Sequence, residues 1–472
     1  MLNEQSQANL EDEAAARVRL TLSTLMPFLE PFWNRPLQDY ARFLYHTEPL
    51  SHSHWVRIEA LQRLATCVER AAIRSGASAS EAVTVKHQLV TAPVMQTGPH
   101  CHLLLEPDAF YTTLFSLLGL RIHRLRWHIW CSASTVKFIE SPGKGPGWLR
   151  LGADLVNVFG VPRRKMDSYS VCGFGGPYRF QLTGQNGQSP ANEEAVHLKA
   201  KLPDTAFFSA GVAIKAGNVA LWEHAFSSEV NLVQFDDIEV ADLCADHLED
   251  PVSFLSTRLF GSGLAAAMLH ALNELNAGPW SGWIRQTTDM FWGLADGRIF
   301  PLRLRGQFLA SDHPRAPKVH FSRECVAEAL RGRQLVPNLL TTCLLISILP
   351  GVRVLGGCRQ TIYYPLMRHV IMRAFTALGE DDLVDELASD RLPGVWGHRV
   401  LKPRRNYPLA DIGDNEDIVK LLPHFGRQTL SEACGDLESF TRDPAWETLA
   451  KDLEAGTIDI ASQREWPRAQ YA

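Results

Sequence analysis

Two histidines flank a cysteine in the segment MQTGPHCHLLLEPDAF, directly after a Thr-Gly-Pro turn. His100 and His102 are two residues apart, so in some turn conformations both imidazoles face one side and act on one ligand. Histidine titrates near neutral pH, which suits a general base, and its neutral ring is a common metal ligand. A metal site would need a third ligand, which the sequence does not identify. Acid–base chemistry, metal binding and hydrogen bonding within a capped turn therefore stay open.

The backbone around these histidines favours a bound anion. The segment LVTAPVMQTG (89–98) is predicted to be a short buried strand, and 106–120 a helix with acidic residues in its first turn. A glycine turn between a strand and a helix exposes backbone N–H groups at the positive end of the helix dipole, where phosphate or carboxylate binds. We therefore assign Thr97, Gly98 and His102 to substrate binding and His100 to general-base catalysis, and we assign no metal ligands.

A second glycine turn follows the strand-like segment VRVLGG. Gly356 and Gly357 allow a ligand to approach the backbone closely. Three polar residues at the start of the next predicted helix complete this group of binding residues: Arg359, Gln360 and Tyr363. Arg359 is suited to bidentate binding of a carboxylate. If the two turns form opposite walls of one cleft, Gly98 and Gly357 should lie within about 15 Å of each other, the scale of a small-ligand pocket.

Standard nucleotide and hydrolase motifs are missing from the sequence. It has neither GxGxxG nor GxxxxGK[ST], so the cofactor stays unknown, although the glycine turns would suit the phosphates of a nucleotide. Without a GxSxG elbow, a serine hydrolase is disfavoured. Two further binding residues come from WCSAST, at the end of the second predicted strand: Ser132 and Ser134. Trp130 of the same segment is assigned to binding only through the family resemblance described below. Lys144 lies among the glycines of SPGKGPG, which follows no strand and is assigned to a loop.

The hydrophobic patterns predict a mixed α/β chain with a helical start. A helix is expected over 60–76, ending at Gly76, and a strand over 124–134. With the helix at 106–120, the strands at 89–98 and 124–134 are expected to form a parallel strand–helix–strand unit. The remaining predictions are strand-like patterns in AFFSAGVAI and NLVQFDDIEV (205–240), one long helix at 252–275, a hairpin at 290–304 and a helix at 362–379.

Composition excludes several classes of protein. The 472 residues exceed what one compact core usually holds. A formal net charge of −5 gives no overall attraction to nucleic acid. No segment has the roughly 18 apolar residues of a membrane span. Nine cysteines are scattered singly, which disfavours a disulfide framework or a zinc ribbon. We expect a cytoplasmic protein that binds small molecules and neither nucleic acid nor membrane.

Together the two glycine stretches resemble the bacillithiol biosynthesis cysteine-adding enzymes, which join cysteine to the amine of glucosaminyl malate. The family has a strand ending in a TG[QH]Q-type turn, matched here by Thr97, Gly98 and His100. Its later signature passes from a proline-containing segment, through a leucine-rich helix ending in Leu-Pro, to a Gly-Gly-x-x-Glu-x-x-Tyr turn. LVPNLL, ILPGVRVLGG and CRQTIYY match that order within residues 30–375.

The chain keeps Gly356, Gly357 and Tyr363 of this signature and has Gln360 in the acidic position. It departs from the family after the second strand, where the family has Trp-x-x-x-Glu-Asp-His-Asp and this chain has WCSASTVKF, keeping only Trp130. The family's long coiled coil is absent or reduced. The resemblance implies a Rossmann-like α/β core, expected at 89–375 with a loop excursion at about 141–200. A helical segment (1–88) would precede this core, and a mixed helical and loop part (376–472) would follow it.

The resemblance also implies a ligase-like enzyme of small-molecule biosynthesis. Such an enzyme forms a C–N bond between an amino acid, such as cysteine, and a second metabolite of a thiol or specialised pathway. It would have small-molecule substrates, other enzymes of its pathway as partners, and a homodimer as its assembly. Two alternatives stay open: a non-catalytic relative that binds a metabolite or partner protein, and a metal-dependent enzyme using the histidines.

Overall fold

The computed structural model of the protein describes residues 2–47, 54–226, 229–261, 263–390, 395–404, 408, 418–460 and 466, with residues 2–11 and 419 described by their backbone alone. The helices in chain order are α1 (Leu2–Leu25), α2 (Leu37–Tyr45), α3 (Trp55–Arg74), α4 (Ala79–Thr91), α5 (Pro107–Ile122), α6 (Arg163–Met166), α7 (Glu193–Lys199), α8 (Ala210–Ala225), α9 (Asp237–Glu249), α10 (Phe254–Arg258), α11 (Leu264–Asn276), α12 (Arg323–Arg331), α13 (Leu339–Cys343), α14 (Gln360–Ala377), α15 (Asp381–Ala388), α16 (Leu422–Arg427), α17 (Leu430–Cys434), α18 (Glu438–Thr441) and α19 (Pro444–Glu454).

The strands in chain order are β1 (Val94–Gln96), β2 (Trp127–Ser132), β3 (Trp148–Leu151), β4 (Asp154–Asn157), β5 (Asn231–Asp236), β6 (Phe291–Ala295), β7 (Arg298–Pro301), β8 (Arg303–Arg305), β9 (Phe308–Ala310), β10 (Val319–His320), β11 (Leu335–Pro337), β12 (Arg353–Gly356) and β13 (Val395–Trp396). Short 3-10 segments cover Pro27–Phe32 and Ile418–Leu421, and a π-helical turn covers Leu344–Ile348. No helix among the described residues is both long and apolar enough to cross a bilayer.

A parallel sheet of five strands positions the rest of the molecule, in the order β13-β12-β1-β2-β5. All four strand pairings are parallel, so the carboxyl ends meet at one edge. From β1 the chain first builds outward on one side through β2 and β5, and later on the other side through β12 and β13. Ligands of open α/β sheets bind outside the carboxyl ends near such a reversal. The fold is mixed α/β, as predicted.

Burial explains the sequence of the central strands. All six residues of β2 are buried, because β1 and β5 flank it and helices cover the sheet. A strand covered on both faces reads as a continuous apolar run rather than an alternating one. The predicted β1–α5–β2 unit is confirmed, with β1 and β2 parallel. The α5 helix begins where expected, and the Glu106 carboxylate caps it by accepting a hydrogen bond from Ala109 N at 3.1 Å.

A separate lobe forms between β2 and β5. It contains the β3–β4 hairpin and helices α6, α7 and α8. Its own hydrophobic cluster includes Phe138, Tyr178 and Ile214, and it also takes in Cys101 and Leu103 from the segment after β1. The loop excursion expected at 141–200 falls inside this lobe. A larger cluster extends from Val18 to Trp466 and joins the first helices, the sheet and the last helices. The domain limits at 88 and 375 stay predictions.

Four predicted elements need correction. The strand-like pattern NLVQFDDIEV is a strand only in its first six residues, because α9 begins at Asp237. The strand expected at 89–98 is shorter, because residues 89–91 end α4. AFFSAGVAI was predicted as a strand, but Ser209 caps α8 by accepting from Val212 N, and the small residues after it are helical. The single helix at 252–275 is divided into α10 and α11. A side chain at Gly263 would lie 2.1 Å from the carbonyl oxygen of Arg258, so the chain turns there.

The other predicted elements are confirmed. The helix predicted at 60–76 is α3, and Gly76 follows its end with a φ of 99°. The hairpin at 290–304 is β6–β7, with residues 296–297 in its turn. VRVLGG contains β12, and α14 follows it closely.

Gln88 fixes the end of α4 against the start of β2, and this contact gives a test of the fold. Its amide nitrogen donates to Trp127 O at 2.8 Å, and its amide oxygen accepts from Arg126 N and Trp127 N, both at 2.9 Å. We expect Gln88→Met to lower the free energy of unfolding by about 3 kcal/mol, because buried backbone groups lose their partners at about 1–3 kcal/mol each.

Denaturant unfolding of the full chain measures this effect. Gln62→Met is the matched control, because Gln62 is an exposed residue of α3, and its variant should stay within about 0.5 kcal/mol of the wild type. Equal unfolding free energies for the two variants would show that Gln88 does not hold α4 on the sheet.

Candidate functional site

A cavity of about 500 Å³ opens at the carboxyl edge of the parallel sheet. The segments that follow all five strands contribute to its walls, including Thr97, Ala133, Asp237, Gly357 and His398. The cavity therefore lies where the order of the strands reverses, the usual ligand position in an open α/β sheet. Both predicted glycine turns line it.

Hydrogen bonds tie the two glycine turns together. Thr97 N donates to Leu355 O at 2.9 Å, which extends the pairing of β1 and β12 by one residue. The Gln360 amide contacts Thr97 Oγ1, with Nε2 at 2.8 Å, and Tyr363 OH donates to Gln360 Oε1 at 3.2 Å. A side chain at Gly356 would lie 2.0 Å from the Gln360 side chain. These residues therefore fix the distance between the turns.

The imidazole of His398 packs against both turns. A Cβ placed on Gly98 would lie 2.7 Å from Cγ of His398, and one on Gly357 would lie 3.0 Å from its Cδ2. Two glycines that contact the same ring are close together, and both line the cavity, so the prediction that the turns share a cleft is confirmed. Burial lowers the pKa of His398 to about 3, and Nδ1 lies 2.7 Å from Thr112 Oγ1. The ring is therefore neutral at physiological pH.

The histidines after β1 converge on one carboxylate. His100 Nδ1 lies 2.6 Å from Glu140 Oε1, and His102 Nε2 lies 3.2 Å from the same oxygen. The His100 side chain is 51% exposed, whereas that of His102 is 3% exposed. Cys101, between them, points into the hydrophobic cluster of the lobe, and burial raises the pKa of its thiol. The two imidazoles thus share one side of the turn and the thiol does not.

Hydrogen bonds and charges within the cluster offset the cost of burying its ionised groups. Burial alone would raise the pKa of Glu140, but its hydrogen bonds to His100 and His102 lower that pKa well below its usual range. Burial alone would lower the pKa of His102, but the hydrogen bond to Glu140 and the charges of Glu106 and Glu140 raise it. The carboxylate is therefore ionised at neutral pH.

A second charged group lines the same cavity. Lys144 Nζ contacts the Asp108 carboxylate, and Arg399 Nε lies 2.9 Å from its other oxygen. Burial would raise the pKa of Asp108, but Arg399 and Lys144 lower it. Burial and the neighbouring Asp108 raise the pKa of Glu106, next to this group. Two cations therefore share the Asp108 carboxylate, and the Glu106 carboxyl group lies beside them.

Arg359 also lines the cavity, but its guanidinium already has a partner. Its Nε lies 2.6 Å from Asp443 Oδ2, and its Nη2 lies 2.8 Å from Asp443 Oδ1. This bidentate geometry is the one expected for binding a substrate carboxylate, and an internal aspartate supplies it instead. A substrate would have to displace Asp443, which also caps α19 through Ala445 N.

The structure separates the predicted residues into two groups. Those lining the cavity are Thr97, Gly98, His100, His102, Gly357, Arg359, Gln360 and Tyr363. The other four lie outside its lining: Trp130, Ser132, Ser134 and Gly356. The three from the β2 end are buried because they alternate with Cys131, Ala133 and Thr135, which line the cavity instead. Ser134 N, for example, donates to Asp237 Oδ2 at 2.7 Å inside the protein.

The dipole of α5 contributes less to anion binding at the first glycine turn than the sequence suggested. Eight residues lie between Gly98 and Pro107, where α5 begins, and carboxylates of the chain itself, Glu106 and Asp108, occupy that helix end. The turns still offer donors. Within the part of the chain that the structure describes, the N–H groups of Gly98, Gly357 and Cys358 donate to no partner. Unpaired backbone N–H groups at a cavity wall are the elements of an anion site.

Sequence reasoning missed the residues that bring most of the charge. These are Glu106, Asp108, Glu140, Lys144, His398 and Arg399. Glu140 and Lys144 come from the Gly-rich loop that was correctly assigned to a loop but not to the site. His398 and Arg399 follow a strand of two residues, too short to show a pattern. A signal was present in GVWGHRV, where apolar residues, a glycine and two basic residues follow one another.

No protein-family model matches this chain, and no curated protein matches its sequence. The resemblance to the cysteine-adding enzymes therefore stays a hypothesis.

Asp108 neutralises the charged wall of the cavity, which can be tested by Asp108→Asn. We expect this variant to lose about 2 kcal/mol of unfolding free energy. Removing one partner of a buried ion pair costs about 3–5 kcal/mol, and the partial exposure of Lys144 and Arg399 reduces that cost. Thermal and denaturant unfolding provide the measurement.

Asp382→Asn is the matched control for this change. Asp382, like Asp108, is the second residue of its helix, but it is exposed. Both variants lose a favourable charge at a helix N-terminus, worth about 0.3–1 kcal/mol. A loss no greater for Asp108→Asn than for Asp382→Asn would mean that the cations do not depend on Asp108.

Proposed function

We propose that the chain is an enzyme of small-molecule biosynthesis with a Rossmann-like core. In this proposal it joins an amino acid, such as cysteine, to a second metabolite through a C–N bond. The cavity at the carboxyl edge of the sheet carries the proposal, because it places a histidine–carboxylate cluster and a positively charged wall around one space. A strand order of 3-2-1-4-5, counted along the chain, supports the Rossmann-like assignment.

The cavity wall that contains Lys144 and Arg399 suits the carboxylate of the amino-acid substrate. In the proposal, Lys144 and Arg399, which share the Asp108 carboxylate, also bind the carboxylate of the substrate. Charged hydrogen bonds of this kind contribute about 1.5–3 kcal/mol each. Lys144 is the more exposed of the two cations.

The cluster of His100, His102 and Glu140 suits deprotonation of the amine of the second metabolite. His100 Nδ1 lies 2.6 Å from Glu140 Oε1, and in the proposal the other ring nitrogen, Nε2, is the one that accepts a proton. Within the described residues Nε2 has no hydrogen-bond partner, and His100 lines the cavity. In the proposed reaction the amine nitrogen attacks the carboxyl carbon of the amino acid and its proton passes to Nε2. Glu140 orients the ring and stabilises the imidazolium that forms.

An activating group must accompany the carboxyl group, because its leaving oxygen departs more readily as part of a phosphate or nucleotide. The unpaired N–H groups of Gly98, Gly357 and Cys358 would suit such an anion. The proposal also keeps the expected cytoplasmic location, and a homodimer as the expected assembly.

Product formation tests the reaction. The full chain is incubated with pairs of an amino acid and an amine-bearing metabolite, with and without ATP, and mass spectrometry detects condensed products. We expect His100→Ala to lower the rate at least about 100-fold, the lower range of general acid–base catalysis. The absence of any product or bound metabolite across the panel would remove the proposal.

Binding of the acidic substrate is tested separately. Lys144→Met should weaken binding of the amino acid about tenfold or more, because one charged hydrogen bond is lost. Lys137→Met is the control, since Lys137 is exposed on the same loop and does not line the cavity. Equal dissociation constants for the two variants by calorimetry would exclude the charged wall as the carboxylate site.

A further inference from the structure

We propose that His100, His102 and Glu140 form a binding site for a divalent transition-metal ion. Each residue offers one ligand atom, and the three atoms all lie within 4.8 Å of one another. The sequence identified the two histidines but no third ligand, and the lobe between β2 and β5 supplies it. Two histidines and a carboxylate, with positions left open for water or substrate, are an established ligand set for catalytic metal ions.

The distances are close to those of a metal centre. Bonds of about 2.0–2.2 Å in a tetrahedral arrangement place ligand atoms about 3.4 Å apart. His102 Nε2 lies 3.2 Å from Glu140 Oε1, so this pair is already near that separation. His100 Nδ1 lies 2.6 Å from the same oxygen and would move outward by less than about 1 Å. Its side chain is half exposed and has room to rotate.

The backbone holds the two histidines in position without the metal. His102 N donates to His100 O at 2.7 Å, and Cys101 N donates to Ala133 O at 2.9 Å. Asn218 Nδ2 donates to His102 O at 2.9 Å, and its Oδ1 accepts from Leu104 N at 2.8 Å. A turn fixed at its centre and on both sides lowers the cost of ordering the ligands.

Glu140 is held by an equally closed loop. Its N–H donates to Lys144 O at 3.0 Å, and Gly147 N donates to Phe138 O at 3.0 Å. Gly145 has a φ of 137°, and a side chain there would lie 2.4 Å from Phe138 O. Only glycine fits this position, so the tight turn that presents Glu140 depends on it.

The donor atoms indicate the class of metal. Imidazole nitrogen is a poor ligand for magnesium and calcium, which prefer oxygen. Two nitrogens and one carboxylate oxygen suit zinc, iron or another first-row divalent ion. The buried Cys101 thiol points away, so thiolate ligation is not part of the site. The half-exposed His100 side chain leaves the cluster of His100, His102 and Glu140 open toward the cavity, which Glu106 and Lys144 also line.

Metal binding goes beyond the proposed reaction and changes one role within it. His100 would serve as a ligand instead of a base, and the open positions of the metal would be available to water or a substrate amine. Because metal content is measured without substrate, the two proposals fail separately. Bound metal without any condensation product would remove the reaction and leave the site. Product formation by a protein that binds no metal would remove the metal site and leave the proposed reaction.

Metal analysis of the full chain tests the site. The protein is stripped with a chelator, loaded with zinc, cobalt or, without oxygen, ferrous iron, and freed of excess metal by gel filtration. We expect about one equivalent of metal per chain. Glu140→Gln and His102→Ala should each weaken zinc binding more than about 100-fold, since even residues that only orient ligands affect affinity about 10–100-fold.

Two measurements keep this test decisive. His270→Ala is the matched control, because His270 pairs with Glu274 on an exposed helix face at 3.4 Å and should not change metal content. Thermal unfolding in the presence of chelator shows whether each variant still folds, and the conservative Glu140→Gln is retained if His102→Ala does not. Wild-type protein that holds less than a tenth of an equivalent after loading, or the same equivalent as folded Glu140→Gln, would overturn the inference.

Discussion

The parallel pairing of β1 with β12 is the constraint on which the site depends. These strands are far apart in the sequence, yet Gln96 is opposite Leu355 and the pairing places both glycine turns at one edge. Gly98 and Gly357 can then contact the same imidazole of His398. If β12 shifted by one residue, its side chains would exchange faces and the turns would separate. Long-range register, rather than any local motif, creates the cavity.

A second constraint is the lobe that leaves the sheet after β2 and returns over its edge. The Asp237 carboxylate anchors this exit, because its Oδ2 accepts from Ser134 N and Thr135 N, both at 2.7 Å. Asn218, on α8 of the lobe, is hydrogen-bonded to His102 O and to Gln234 of β5. The lobe is thus connected to the histidine turn and to the sheet, and it places Glu140 and Lys144 opposite them.

The sequence predicts the local parts of this arrangement well and the long-range parts poorly. The β1–α5–β2 unit, the hairpin at 290–304 and the turn after β12 follow from spacing, glycine positions and apolar runs. Glu140 could not be found in that way, because its closeness to His100 depends on how a loop rich in glycine folds back. Ser132 and Ser134 show the opposite failure. They lie at a strand end as predicted, but Cys131, Ala133 and Thr135 line the cavity there and the two serines that alternate with them are buried.

Different residues carry the family resemblance and the chemically reactive groups of the cavity. Thr97, Gln360 and Tyr363 use their polar atoms on each other, so they maintain the shape of the cavity and contribute little free hydrogen-bonding capacity. Ionised groups come instead from positions outside the motif, above all Glu140 and Lys144. A scaffold of this kind can keep its turns while its loops change. The substrate and the mode of activation would then depend on the lobe between β2 and β5 more than on the glycine turns.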